Sequence, residues 1–148
     1  MTLTLLKSGT LRVYALLCSL MLGLLLPASS YSQPFAIPRD TLCSECGMTV
    51  NPDSKFSTEA ITAEGKKLFF CDIGDMLRHF RSDRGKLKTA YVKDYMSGGW
   101  IDGEKAFYVL DKRFSTPMSW SIAAFLKESE ARKWGDPVDF NGAFRLLK

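Results

Sequence analysis

One histidine, His79, is all the imidazole in these 148 residues, so no histidine relay can be assembled from this chain. The sequence also lacks Gly-x-Ser-x-Gly, a Walker loop and Gly-x-Gly-x-x-Gly, the motifs that announce acyl transfer, nucleotide hydrolysis and dinucleotide binding. Nothing in it demands an enzyme. Charge of one sign is scarce too, with 20 Lys and Arg against 16 Asp and Glu for a formal +4. A nucleic-acid binder would concentrate basic residues in a patch, and none is present. There is no low-complexity linker to divide the chain.

Long apolar stretches are confined to the start. Lys7 and Arg12 precede an apolar or small-residue run from Val13 to Leu26, followed by Pro27-Ala28-Ser29-Ser30. A charged n-region, a short apolar h-region and a small-residue exit describe a secretory signal. The run is shorter than the ~20 residues a membrane-spanning helix needs. Residues 1–32 are therefore read as a signal peptide, cleaved after Ser30 or Ser32, and Cys18 as a leader residue lost with it. The product is expected in the periplasm or another extracytoplasmic space, with no stable membrane span. Loss of Lys7 and Arg12 leaves 18 basic and 16 acidic residues, a formal +2, on a mature domain of 116 residues spanning 33–148. That length is ordinary for one domain with a modest core.

Cysteine is sparse but pointedly placed. Outside the leader the thiols are Cys43, Cys46 and Cys71, an odd number. An exported chain with one Cys-x-x-Cys and a spare thiol is poorly explained as a disulfide framework, and a metal site explains the count better. Met48 lies two residues beyond Cys46, and Met76 five beyond Cys71. Thiolate and thioether sulfur together select Cu(I) over harder divalent metals. Cys46, Met48 and Met76 are the favoured ligands, with Cys43, Cys71 and His79 as further candidates.

Two other chemistries fit some of the same residues. Cys43, Cys46, Cys71 and His79 make a Cys₃His set that zinc accepts in tetrahedral geometry. Cys43 and Cys46 could also form a redox disulfide. That chemistry expects the motif after a strand and at a helix start, whereas here no strand precedes it and Gly47 interrupts the segment directly after it. Asp72 and Asp75 are read as helix-start residues rather than an acid–base pair.

The patterning predicts an α+β fold. Phe56–Ala63 and Lys67–Cys71 read as a hairpin about Glu64-Gly65-Lys66. Asp72 is placed to cap a helix whose Ile73, Met76, Leu77 and Phe80 share one face, ending near Arg84-Gly85. Residues 88–94 read as a strand. The second half is expected to repeat that order. Trp100-Ile101 and residues 106–110 would flank a turn at Asp102-Gly103. A helix would open at Pro117, Ser119 or Ser121, present Ile122, Phe125 and Leu126, and close at Gly135. Val138–Leu146 would supply one or two short strands with a turn at Asn141-Gly142. Two similar ββαβ units, about 40–96 and 97–148, would form one compact body.

With these residues in view the chain resembles the NosL family, exported copper-binding accessory proteins of nitrous oxide reductase. The resemblance rests on Cys43-x-x-Cys46-Gly47-Met48, Phe70-Cys71 with Asp75-Met76, Ala90-Tyr91-Val92-x-Asp94, and Ala106-Phe107-Tyr108-Val109 leading to Thr116-Pro117-Met118. It implies two similar ββαβ units, a fold also related to part of organomercurial lyase. It implies a single Cu(I) held through sulfur and one histidine. It further implies an upstream copper donor and delivery to the reductase's copper–sulfide centre. Many members carry a lipid-accepting cysteine at the leader exit; Ala28 to Gln33 contains none, so a lipid anchor is not supported.

Overall fold

The computed structural model describes residues 36–147. The expected signal segment, its expected cleavage site and Cys18 lie outside the described residues. Among the described residues no helix is long and apolar enough to cross a membrane.

The first half follows the expected order, with strands β1 (Thr58–Thr62) and β2 (Lys67–Phe70), helix α1 (Ile73–His79) and strand β3 (Leu87–Lys93). β1 is central, pairing antiparallel with both neighbours, and Ala60 stands opposite Leu68 on one side and Ala90 on the other. Asp72 caps α1 by accepting from the Gly74 amide at 3.0 Å, which satisfies one of the orphan donors of the first turn. The predicted face is the buried one: Ile73, Met76 and Leu77 are fully buried, and Phe80 nearly so. The helix ends a turn earlier than expected, because Phe80 caps it by donating to the carbonyls of Arg78 and Met76. A short 3₁₀ turn, Arg84–Lys86, then leads into β3.

The second half keeps the ββαβ order but assigns it to different residues. Strand β4 (Trp100–Asp102) does not pair with residues 106–110. It pairs with β3 and completes a four-stranded sheet in the order β2-β1-β3-β4. The second hairpin is instead β5 (Phe107–Leu110) with β6 (Ile122–Phe125). The segment expected to be a helix is thus a strand. Ile122 and Ala124 enter one hydrophobic cluster while Ala123 and Phe125 enter another. Alternation between two cores is the period of a strand, and a strand buried on both faces reads in sequence as an unbroken apolar run. The left-handed backbone at Ser119 (φ 59°) and Ser121 (φ 56°) also prevents a helix from starting there.

Helix α2 (Glu128–Ala131) comes next, and Val138 then returns to pair with Tyr108. Val138 occupies the place that β3 takes in the first unit. The remaining segment is helix α3 (Phe140–Leu146), not strands about Asn141-Gly142. Asp139 caps it through a 2.6 Å bond from the Gly142 amide. Phe140, Ala143, Phe144 and Leu147 then form the i, i+3, i+4, i+7 stripe that faces the core.

Asp94 joins the two sheets where β3 meets β6. One carboxylate oxygen accepts from the Leu126 amide at 3.0 Å, and the other from the amide and hydroxyl of Ser97 at 2.9 and 2.6 Å. Burial pushes this carboxyl up, but the bonds from Ser97 and Leu126 outweigh it and hold the group below the usual range. Asp94→Ala is expected to cost about 1–2 kcal/mol, since it removes three part-buried hydrogen bonds at once. A depressed carboxyl stabilises fully above its unfolded pKa, so the parent's advantage should shrink as pH falls below about 4. Paired thermal melts from pH 3 to 7 measure this.

Candidate metal centre

The two cysteine segments meet because a hairpin-like loop carries one of them to the end of β2. Leu42 bridges Thr49 antiparallel. Inside that bridge the Cys43 amide donates to the Met48 carbonyl at 2.7 Å, and the Gly47 amide donates to the Cys43 carbonyl at 3.0 Å. Gly47 has φ 75°, a left-handed conformation open to glycine at little cost. It reverses the chain between Cys46 and Met48. The Ser44 amide then donates to the Phe69 carbonyl at 2.8 Å, docking the loop on the β2 edge two residues before Cys71.

Cys43, Cys46, Cys71 and Asp75 form one group whose potential ligand atoms all lie within 4.8 Å of one another. All three cysteines are free. Cys43 Sγ donates to Asp75 Oδ2 at 3.4 Å and Cys71 Sγ to the same oxygen at 3.6 Å, while Cys46 Sγ lies 3.5 Å from Cys71 Sγ. Cys43, Cys71 and Asp75 are buried and Cys46 is partly exposed. Burial pushes the Cys71 thiol far up, and neighbouring Cys46 and Cys43 push it the same way. Burial also raises the Cys46 thiol, against a hydrogen bond from the Met48 backbone. Without metal, Cys46 and Cys71 therefore hold their protons more tightly than free thiols do.

Asp75 reads in the sequence as a helix-start acid, yet its carboxylate faces the thiols. Its other oxygen, Oδ1, accepts from Trp120 Nε1 at 2.8 Å. That contact depends on Gly74, where an added Cβ would stand 2.0 Å from Trp120 Cγ. The loop carrying Trp120 is fastened on both sides. The Met118 amide donates to Asp72 Oδ2 at 2.9 Å, and the Ser121 amide to Thr116 Oγ1 at 3.1 Å. Burial raises the Asp72 carboxyl despite the bonds it receives from Thr116, Met118 and Gly74. The sequence offers a faint signal of this, a glycine inside an otherwise apolar helical stripe.

His79 is not among the ligand atoms of this group, and the two nominated methionines differ in burial. Met48 is 51% exposed, directly beyond Gly47. Met76 is fully buried in the core cluster that also holds Cys43, Cys71, Ile73 and Leu77. His79 Nδ1 lies 3.0 Å from Glu45 Oε2, and Arg78 reaches the same carboxylate at 3.2 Å. The His79 ring also sits against Phe70 and Phe80, at centroid distances of 5.3 and 5.0 Å.

Two antiparallel sheets, short helices and a thiol-rich cluster define a small α+β protein with a site able to hold a metal ion. The chain belongs to the NosL family, whose model, NosL, matches residues 34–139. Its fold is similar to the crystal structure of the copper chaperone NosL from Shewanella denitrificans, at a TM-score of 0.65 and 21% identity, covering 74% of this chain and 93% of that one. No curated protein matches the chain.

Proposed function

We propose that this protein is an exported, non-enzymatic carrier of one Cu(I) ion. Residues 1–32 would be its signal peptide and 33–148 its copper-binding domain. The observation that carries this reading is the convergence of Cys43, Cys46 and Cys71, with the exposed Met48 two residues beyond Cys46 in the chain. Soft sulfur donors favour Cu(I), and the similarly folded protein from Shewanella denitrificans is a copper chaperone by name. The three thiols would hold the ion and Met48 would sit at the exit. A thioether there can detach without unfolding the chain, so an acceptor takes the metal by ligand exchange. Met76 and His79 complete the nominated ligands, and His79 would first have to leave Glu45. The client we propose is nitrous oxide reductase during assembly of its copper–sulfide centre, with a separate copper donor upstream.

A second reading has its own support. Asp75 completes a Cys₃Asp set, which zinc accepts. Anaerobic titration of the reduced mature protein with Cu(I) and Zn(II) against competing chelators separates the two. Tight zinc with weak copper would overturn the carrier reading. Met48→Ala should lower Cu(I) affinity at least about tenfold and leave zinc binding unchanged.

The raised thiols set a pH dependence. Metal must displace their protons, so apparent Cu(I) affinity should rise with pH through the neutral range, by about tenfold per unit for each proton released. Competition titrations at pH 6, 7 and 8 give that slope.

A further inference from the structure

The Cys43-x-x-Cys46 spacing draws attention to one thiol pair, but the fold brings a second pair into contact. Cys43 Sγ is buried and donates to Asp75 Oδ2 at 3.4 Å. Cys46 Sγ lies 3.5 Å from Cys71 Sγ, across 25 residues of sequence, within a group whose ligand atoms are all within 4.8 Å of one another. A disulfide is about 2.05 Å long, so these sulfurs need to approach by roughly 1.5 Å to be joined. The backbone partner is already fixed, because the Ser44 amide is bound to the Phe69 carbonyl. Cys46 is the one partly exposed thiol of the three, and Cys71 lies behind it with 2% exposure.

We propose that Cys46 and Cys71 form a site of reversible thiol–disulfide exchange, and that the disulfide between them closes the cluster to soft metal ions. The reactant class is a small-molecule or protein disulfide. The partly exposed Cys46 sulfur, losing its proton to solvent, attacks one sulfur of the incoming disulfide, forming a mixed disulfide and expelling one thiolate. Cys71 then attacks Cys46 Sγ, forming the internal bond and expelling the second thiolate. The two cysteines lose two electrons and two protons, and the incoming disulfide is reduced to two thiols. Two of the three cysteine donors are thereby removed, leaving Cys43 alone. The pairing rests on geometry; its consequence for metal rests on the carrier reading above.

The test incubates the reduced, metal-free mature protein with oxidised glutathione, blocks remaining thiols, and maps linked peptides by mass spectrometry. The expected result is a Cys46–Cys71 link with Cys43 blocked as a free thiol, formed also in Cys43→Ser. Cu(I) affinity of the oxidised protein should fall by ~100-fold or more, since thiolate is the strongest soft donor present, and return on reduction. A Cys43–Cys46 link, an intermolecular dimer, or glutathione retained on Cys46 would overturn the pairing. Unchanged Cu(I) binding after a Cys46–Cys71 link has formed would overturn the closure. Failure of the reduced sample to bind Cu(I) sinks the carrier reading instead, and the peptide map still decides the pairing.

Discussion

Cys71→Ser is expected to lower Cu(I) affinity by about 100-fold or more while changing stability by only about 1 kcal/mol. Cys71 sits between the other members of the cluster, 3.5 Å from Cys46 Sγ and 3.6 Å from Asp75 Oδ2. Serine has nearly the same shape, and its hydroxyl can still donate toward that carboxylate, so the core is disturbed little. It presents a hard, neutral oxygen where a soft thiolate is needed, so the metal loses its donor. The contrast with His79→Ala is part of the result. His79 is tied to Glu45 at the rim, and its removal should cost far less Cu(I) affinity than the serine substitution. Chelator competition on the three proteins, with thermal melts alongside, decides the matter. Parent-like affinity in Cys71→Ser would return the site to Cys46 and the methionines.

The first half of the fold is legible because its signals agree with one another. Asp72, the Ile73-Met76-Leu77-Phe80 stripe and the turn at Gly65 each specify the element they occupy, with no competing pattern. The second half carries signals that conflict. Ile122 to Phe125 is apolar throughout, and a short run of that kind cannot reveal whether its burial period is 2 or 3.6. Only the two hydrophobic clusters on either side of β6 resolve it. Asn141-Gly142 is a strong local hairpin signal, but Asp139 uses the Gly142 amide as a helix cap and the aromatic stripe of Phe140 and Phe144 prevails. Propensity at two residues yields to burial along seven.

The site divides along a similar line. Three thiols in two segments are visible as a composition, and their convergence is a fair inference from an odd count. Asp75 is not legible as a cluster member because its local role, an acid in the first turn of a helix, is already sufficient to explain it. Its second role comes from Trp120, 45 residues away, and that separation carries no sequence signature. Met76 carries two signals at once. Its spacing from Cys71 suggests a ligand, and its position on the helix stripe places its side chain in the core cluster that also holds Cys43 and Cys71.

Gly74→Ala should destabilise the protein by about 2–4 kcal/mol, a fall in Tm of roughly 10 °C for a domain of this size. Helix propensity argues the other way, since alanine in a helix is favoured over glycine by up to about 1 kcal/mol. The steric term is larger. The new Cβ would stand 2.0 Å from Trp120 Cγ and 2.4 Å from Trp120 Cβ, and atoms at the root of a side chain cannot swing aside as a flexible tip can. The indole must leave, and with it goes the 2.8 Å bond to Asp75 Oδ1. A buried carboxylate oxygen is then left without its donor, a further cost of about 1–3 kcal/mol unless water replaces it. The same displacement frees Asp75 to turn from Cys43 and Cys71, so metal binding should weaken together with stability. A double-mutant cycle separates clash from propensity. In a Trp120→Ala background the clash is gone, and Gly74→Ala should become neutral or stabilising by up to about 1 kcal/mol. If the substitution destabilises equally in both backgrounds, the packing of Trp120 on α1 is not what glycine is there to permit.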